Sequence, residues 1–217
     1  MAIATALVAA GTAQAAMVTV GSPIASIGSG GVVAPNGSTE TVANTALPEA
    51  GAHITSPVNG TIVSWRLVSS SATGDSYALR VLRPQSNGTY EGVGSAPVSN
   101  VIGDQTFSAS LPIQAGDLIG VDMANNGGGI RATLTPTVGA AWDGWVPAVP
   151  ESGFAAPNPI IHETDQELAF NVVVQYPDPV ATPPSGSPAA KSKCKKKKKH
   201  KRSAESAKKK CKKKKKR

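Results

Sequence analysis

The sequence predicts an all-β, antiparallel, jelly-roll-like β-sandwich followed by a disordered polybasic C-terminal tail. Three observations carry that expectation. The chain of 217 residues holds 22 glycines and 17 prolines, with few helix-favouring runs. Short segments alternate apolar and polar residues at period two. All the lysines lie after Ala190.

The first fifteen residues, MAIATALVAAGTAQA, combine a short apolar run with small residues at Ala13 and Ala15. That is the spacing a signal peptidase accepts, so 1–15 reads as a signal peptide with cleavage after Ala15; no basic residue precedes the run, so either the true start lies upstream or the signal is a poor one. No stretch approaches the ~20 apolar residues that span a bilayer as a helix. The body, 16–176, is long enough for one domain with its own core.

Within the body, GTIVSWRLVSSS (60–71) places Val63, Trp65 and Leu67 on one face of a strand. SYALRVLRP (76–84) repeats the pattern, with Tyr77, Leu79 and Val81 inward, Arg80 outward, and Pro84 ending the ladder. The intervening SSATGD carries turn chemistry, which predicts a hairpin between the two strands. LPIQAGDLIGVDM (111–123) sets a tight Ala-Gly-Asp turn between two further strands, with Ile119, Val121 and Met123 on one face. ELAFNVVVQY (167–176) has Leu168, Phe170, Val172, Val174 and Tyr176 at strict period two. No segment reads as a helix. Short strands between glycine-rich turns argue for the sandwich, with the jelly roll as the expected winding.

Beyond the body, 177–190 is a Pro-rich linker with five prolines in fourteen residues, an extended and semi-rigid spacer. Residues 191–217 form the tail. KCKKKKK stands at Lys193 to Lys199 and again at Lys210 to Lys216. Like charges at this density repel and nothing apolar is present to bury, so disorder is expected. The formal net charge of +8 therefore hides two opposed parts. Up to Ala190, four arginines stand against thirteen acids, a net of −9; after it, 18 Lys and Arg stand against Glu205, a net of +17. This asymmetry excludes the body as a general nucleic-acid binder and assigns polyanion binding to the arm. Its binding residues are Lys195, Lys196, Lys197, Lys198, Lys199, Lys212, Lys213, Lys214, Lys215 and Lys216. On an exported protein, the polyanions in reach are anionic cell-envelope polymers, acidic polysaccharide and extracellular DNA. No specific protein partner is inferred. An intracellular nucleic-acid binder is the alternative should export fail.

The only cysteines, Cys194 and Cys211, lie in the tail. Flanking lysines favour the thiolate and an extracellular setting favours oxidation, so they are disulfide candidates, within one chain or between chains.

The order SPVNGTIVSWRLVSSS, YALRVLRP and SLPIQAGDLIGVDM, followed by a Pro-rich spacer and a Cys-plus-Lys tail, resembles uncharacterised secreted proteins of soil actinobacteria. The resemblance covers most of the mature chain. It implies the sandwich fold and export, and carries no catalytic residue or ligand.

Chemistry-bearing residues are sparse. The body contains His53 and His162 but neither Cys nor Lys, which removes thiol and lysine catalysis there. His162, Glu163, Asp165 and Glu167 match no zinc spacing and read as a polar loop before the last strand. Asp117, Asp122, Asn125 and Asn126 offer hard oxygen ligands, yet Asp117 and Asp122 sit five apart on a strand and face opposite ways. No enzyme, metal or cofactor is expected. AAWDGWVPAV (140–149) brings Trp142 and Trp145 three apart, too close for both to face inward from a regular strand. One ring is therefore expected to be exposed, making Trp142 and Trp145 candidate carbohydrate-binding residues and a carbohydrate-binding module the alternative function.

Overall fold

The computed structural model describes residues 15–24, 32–33, 35, 37–124, 129–132, 138–151 and 159–177. The signal segment up to residue 14, the linker from Asp178 and the whole tail, with Cys194, Cys211 and the candidate lysines, lie outside the described residues.

Twelve strands and no helix make up the described chain: β1 (Ala15–Gly21), β2 (Val32–Val33), β3 (Glu40–Ala46), β4 (Gly60–Val68), β5 (Asp75–Pro84), β6 (Tyr90–Val101), β7 (Asp104–Ile113), β8 (Leu118–Met123), β9 (Ile130–Arg131), β10 (Ala141–Trp145), β11 (Ile161–Thr164) and β12 (Phe170–Pro177). They form a four-stranded sheet, β1-β12-β4-β7, and a six-stranded sheet, β11-β10-β3-β8-β5-β6, with β2-β9 as a small separate ribbon. Every pairing between these strands is antiparallel. The expected all-β architecture of two antiparallel sheets is thus observed.

The core lies between the sheets. Val20, Ile62, Trp65, Leu67, Phe170, Val172 and Val174 from the four-stranded sheet meet Val42, Tyr77, Leu79, Val81, Ile119, Val121 and Met123 from the six-stranded sheet. Each large side chain of this set contributes about 1.5–3 kcal/mol by leaving water. The period-two pattern therefore identifies the inward faces of β5, β8 and β12. In β4 it slips by one residue. Ile62 is buried and Val63 is only half-buried, because Val63 is skipped in the ladders to both β12 and β7. A bulge there shifts which side chain faces inward.

The expected β4–β5 hairpin does not form. β4 pairs with β12 and β7, whereas β5 pairs with β6 and β8 in the opposite sheet. The serine-rich link crosses from one sheet to the other and is tied by its own hydroxyls. Ser71 Oγ accepts from the Thr73 and Gly74 amides, and Ser69 Oγ meets Tyr77 Oη at 2.7 Å. Turn chemistry reverses the chain but does not choose its partner. The Ala-Gly-Asp turn behaves likewise. The Asp117 amide donates to Gln114 O at 3.0 Å, yet β7 and β8 belong to different sheets.

Candidate functional site

Arg80 departs furthest from its sequence reading. Strand parity points it away from the core, as expected, but it is 1% exposed. The chain after β10 passes over the outer face of the six-stranded sheet and covers it. Nη1 donates to Asp122 Oδ2 at 2.5 Å and to Val149 O at 2.8 Å, and Nη2 donates to Pro150 O at 2.7 Å. Asp122 Oδ1 accepts from Thr41 Oγ1, which itself accepts from the Val149 amide at 2.8 Å. The Ala148 amide donates to Thr39 O at 3.0 Å. Strands β3, β5 and β8 thus hold residues 148–150 as a strap. Burial pushes the Asp122 carboxyl above the usual carboxylate range, outweighing the opposing attraction of Arg80 and the Thr41 hydrogen bond.

The strap explains Trp145, and the core between the sheets explains Trp142. Trp142 is 4% exposed and Trp145 is 0% exposed. They do face opposite ways from β10, but each side is covered. Trp142 enters the main core, whereas Trp145 packs under the strap with Ala43, Leu82, Leu118 and Val149. Tyr90 meets the Trp145 ring edge-on at 5.4 Å between centroids. The expectation of an exposed ring at Trp142 or Trp145 is therefore corrected: no aromatic platform exists there. A sheet face that sequence periodicity marks as outward is buried by chain from beyond the strand.

Beside the strap the outer face opens into a cleft of about 490 Å³. Ala78, Pro97, Val98 and Ala124 supply apolar lining; Thr39, Ser76 and Ser99 supply hydroxyls; Asp122 closes one side. Since Arg80 and Thr41 occupy its two carboxylate oxygens, Asp122 enters the cleft as an engaged group. The arrangement offers hydrogen-bonding edges over a small apolar floor.

The polar residues before β12 separate. His162 Nδ1 lies 2.6 Å from Asp143 Oδ1, on the solvent side of the β10–β11 pair. Glu163, opposite Trp142 in register, takes the other face. Asp165 Oδ1 accepts from the Gly139 amide at 3.1 Å. Glu167 is 3% exposed, and burial together with the neighbouring Glu49 carboxyl pushes it up to about 7 against the Ser22 hydrogen bond. Among the described residues no group of three or more His, Cys, Asp or Glu is arranged to hold a metal. The aspartates of the calcium reading diverge as their parity requires. Asp117 takes Arg83 in a two-pronged pair, Nε–Oδ1 and Nη2–Oδ2 both at 2.9 Å, while Asp122 takes Arg80. Asn125 and Asn126 lie outside the described residues.

Arg66 completes the ion pairs, its Nε donating to Asp104 Oδ1 at 2.8 Å. Arg131 is engaged as well. Sequence reading missed this internal use of the body's cations. Set against protein families, curated proteins and solved structures, the chain matches none.

Proposed function

We propose that this is an exported, non-catalytic protein whose β-sandwich body is held to anionic cell-envelope polymers by its lysine-rich tail. The observation that supports this reading is the internal engagement of the body's four arginines, three of them in ion pairs with Asp104, Asp122 and Asp117. The chain up to Ala190, with a net charge of −9 and each of its four arginines engaged, offers little to a polyanion, so the 18 Lys and Arg after Ala190 carry that affinity. Each lysine near an anionic surface contributes on the order of 1 kcal/mol at low screening, and the contributions accumulate along the arm. Extracellular DNA and acidic polysaccharide belong to the same ligand chemistry. Export is supported by the small residues at Ala13 and Ala15, and cleavage after Ala15 leaves six of the seven residues of β1 in place.

The finer fold assignment belongs to the same reading. Strands pair in nested fashion, β1 with β12, β3 with β8, β4 with β7 and β5 with β6. Two Greek keys wound together produce that nesting, which supports reading the sandwich as a jelly roll. The cleft bordered by Asp122 is the body's ligand-facing surface in this reading.

The test is retention on an immobilised phosphate-rich wall polymer across a salt series. Full-length protein binds at low salt and is released as salt rises, because each lysine contact displaces a condensed counterion. A chain ending at Ala190 keeps the melting temperature of the full chain and flows through. Equal retention of the two chains refutes the anchor.

A further inference from the structure

Segment 47–54 lies between two anchors. Ala46 ends β3 opposite Ala141, and Thr55 bridges to Leu118 with the Ser56 amide on Asp117 O at 2.8 Å. Between those anchors a single backbone bond ties the segment to the sandwich among the described residues, from the Gly21 amide to His53 O at 2.8 Å. The Ala52 amide closes a turn on Glu49 O at 3.0 Å, and Pro48, Ala50 and Gly51 are exposed. Glu49 Oε2, by contrast, is buried and has no hydrogen-bond partner among the described residues.

The Glu49 carboxyl is hydrogen-bonded to that of Glu167, which is 3% exposed and also receives the Ser22 hydroxyl. Ser22 Oγ in turn accepts from the Ile24 amide at 2.9 Å. Two buried carboxylates in such contact repel, so the pair holds one proton between them. Burial together with the Glu49 charge accordingly raises Glu167 to about 7. The other titratable groups on the neighbouring segments are placed otherwise. His53 lies on the turn segment itself, Arg131 on β9 is engaged and its carbonyl takes the Ala169 amide, and Asp165 Oδ1 takes the Gly139 amide. The two carboxyls differ in freedom. Glu167 is fixed, because the Leu168 amide donates to Asn44 Oδ1 at 2.8 Å and the Leu168 carbonyl accepts from Asn44 Nδ2 at 3.0 Å. Glu49 rides on the exposed turn.

We propose that Glu49 is a proton-operated latch: the proton it shares with Glu167 holds turn 47–53 against the sandwich, and loss of that proton releases the turn while both sheets stay folded. Once the proton leaves, one carboxylate must reach water. Moving Glu49 breaks the one backbone bond at His53, whereas moving Glu167 breaks both Asn44 bonds and disturbs the entry to β12. The turn therefore yields first. The closed turn keeps a proton that the open turn gives up, so the latch is at full strength below about 4.5, weakens above it and is lost as pH rises through about 7.

Hydrogen exchange of the full chain across this pH range, corrected for the intrinsic exchange rate, tests this. The Ala52 and Gly21 amides lose roughly thirtyfold in protection between about pH 5 and 7 and level off by about pH 8, because each opening releases one proton. Low urea leaves their exchange unchanged while it accelerates that of β5, the mark of a local opening. Glu49→Gln, whose side-chain amide donates to the Glu167 carboxylate, keeps the turn closed and flattens the pH profile. Glu167→Gln does the same. Protection at Ala52 that stays flat from about pH 5 to 7 overturns the proposal. So does a loss that follows urea as β5 does, which indicates global unfolding, or one that persists in both variants.

Discussion

Arg80 Nη1 and Asp122 Oδ2 lie 2.5 Å apart beneath Val149 and Pro150, with side chains only 1% and 15% exposed. The pair joins β5 to β8 and fixes the strap that buries Trp145. Its geometry serves assembly of the fold, since the same guanidinium reaches two strap carbonyls that have no other described donor.

Removing one member of this pair is expected to cost far more than removing both. Arg80→Met leaves a buried carboxylate unneutralised and strap carbonyls unpaired, so stability falls by about 3–5 kcal/mol. Adding Asp122→Leu to Arg80→Met restores much of the loss. Urea denaturation of the two variants checks this, and equal losses in the single and double variants refute it.

Gly92 sits against the same strap. A Cβ there would stand 2.1 Å from Pro150 O and 2.5 Å from Arg80 Nη2. Gly92→Ala is expected to displace the strap, expose Trp145 and shift its fluorescence to longer wavelength, at a cost of about 1–3 kcal/mol for the forced overlap. An unchanged emission spectrum and melting temperature contradict the packing described.

Trp142→Ala and Trp145→Ala are each expected to lower stability by about 3–5 kcal/mol, the cost of truncating a buried aromatic. Polysaccharide retention per folded molecule stays unchanged. Loss of retention without loss of stability would restore the carbohydrate platform.

Stability is expected to fall as pH rises from about 4.5 toward 8. The Glu167 carboxyl is raised from 4.5 to about 7, so between those values the folded chain holds a proton the unfolded chain has released. The effect is fully developed above about 7, with a ceiling of roughly 3 kcal/mol for a shift of this size. Asp122, also raised, acts in the same direction from its own lower starting value. Glu167→Gln removes the dependence near neutrality and raises the melting temperature at pH 8 relative to wild type. A wild-type stability curve that is flat from pH 5 to 8 contradicts the burial of this group.

The linear sequence by itself determined the strands β4, β5, β8 and β12, the end of β7, and the inward faces of β5, β8 and β12, because period-two alternation records which side chains leave water. Tyr77, Leu79 and Val81, Ile119, Val121 and Met123, and Phe170, Val172 and Val174 all lie in the core as their spacing requires. It also determined the opposed charges of body and tail, which need no structure to count. Only the tertiary structure decided what those strands pair with and what covers their outer faces. The serine-rich link between β4 and β5 reads as a hairpin turn because a local reversal looks the same whether the chain returns to its own sheet or crosses to the facing one. Arg80 faces outward as read, yet it is buried, and the expectation of an exposed ring at Trp142 or Trp145 failed, for one reason. Parity states the side of a sheet, whereas burial on that side depends on the strap at 148–150, about seventy residues from Arg80 in the chain and 2.8 Å from it in space. Long-range closure of that kind is set by packing and hydrogen-bond satisfaction over the whole domain, and no local spacing encodes it.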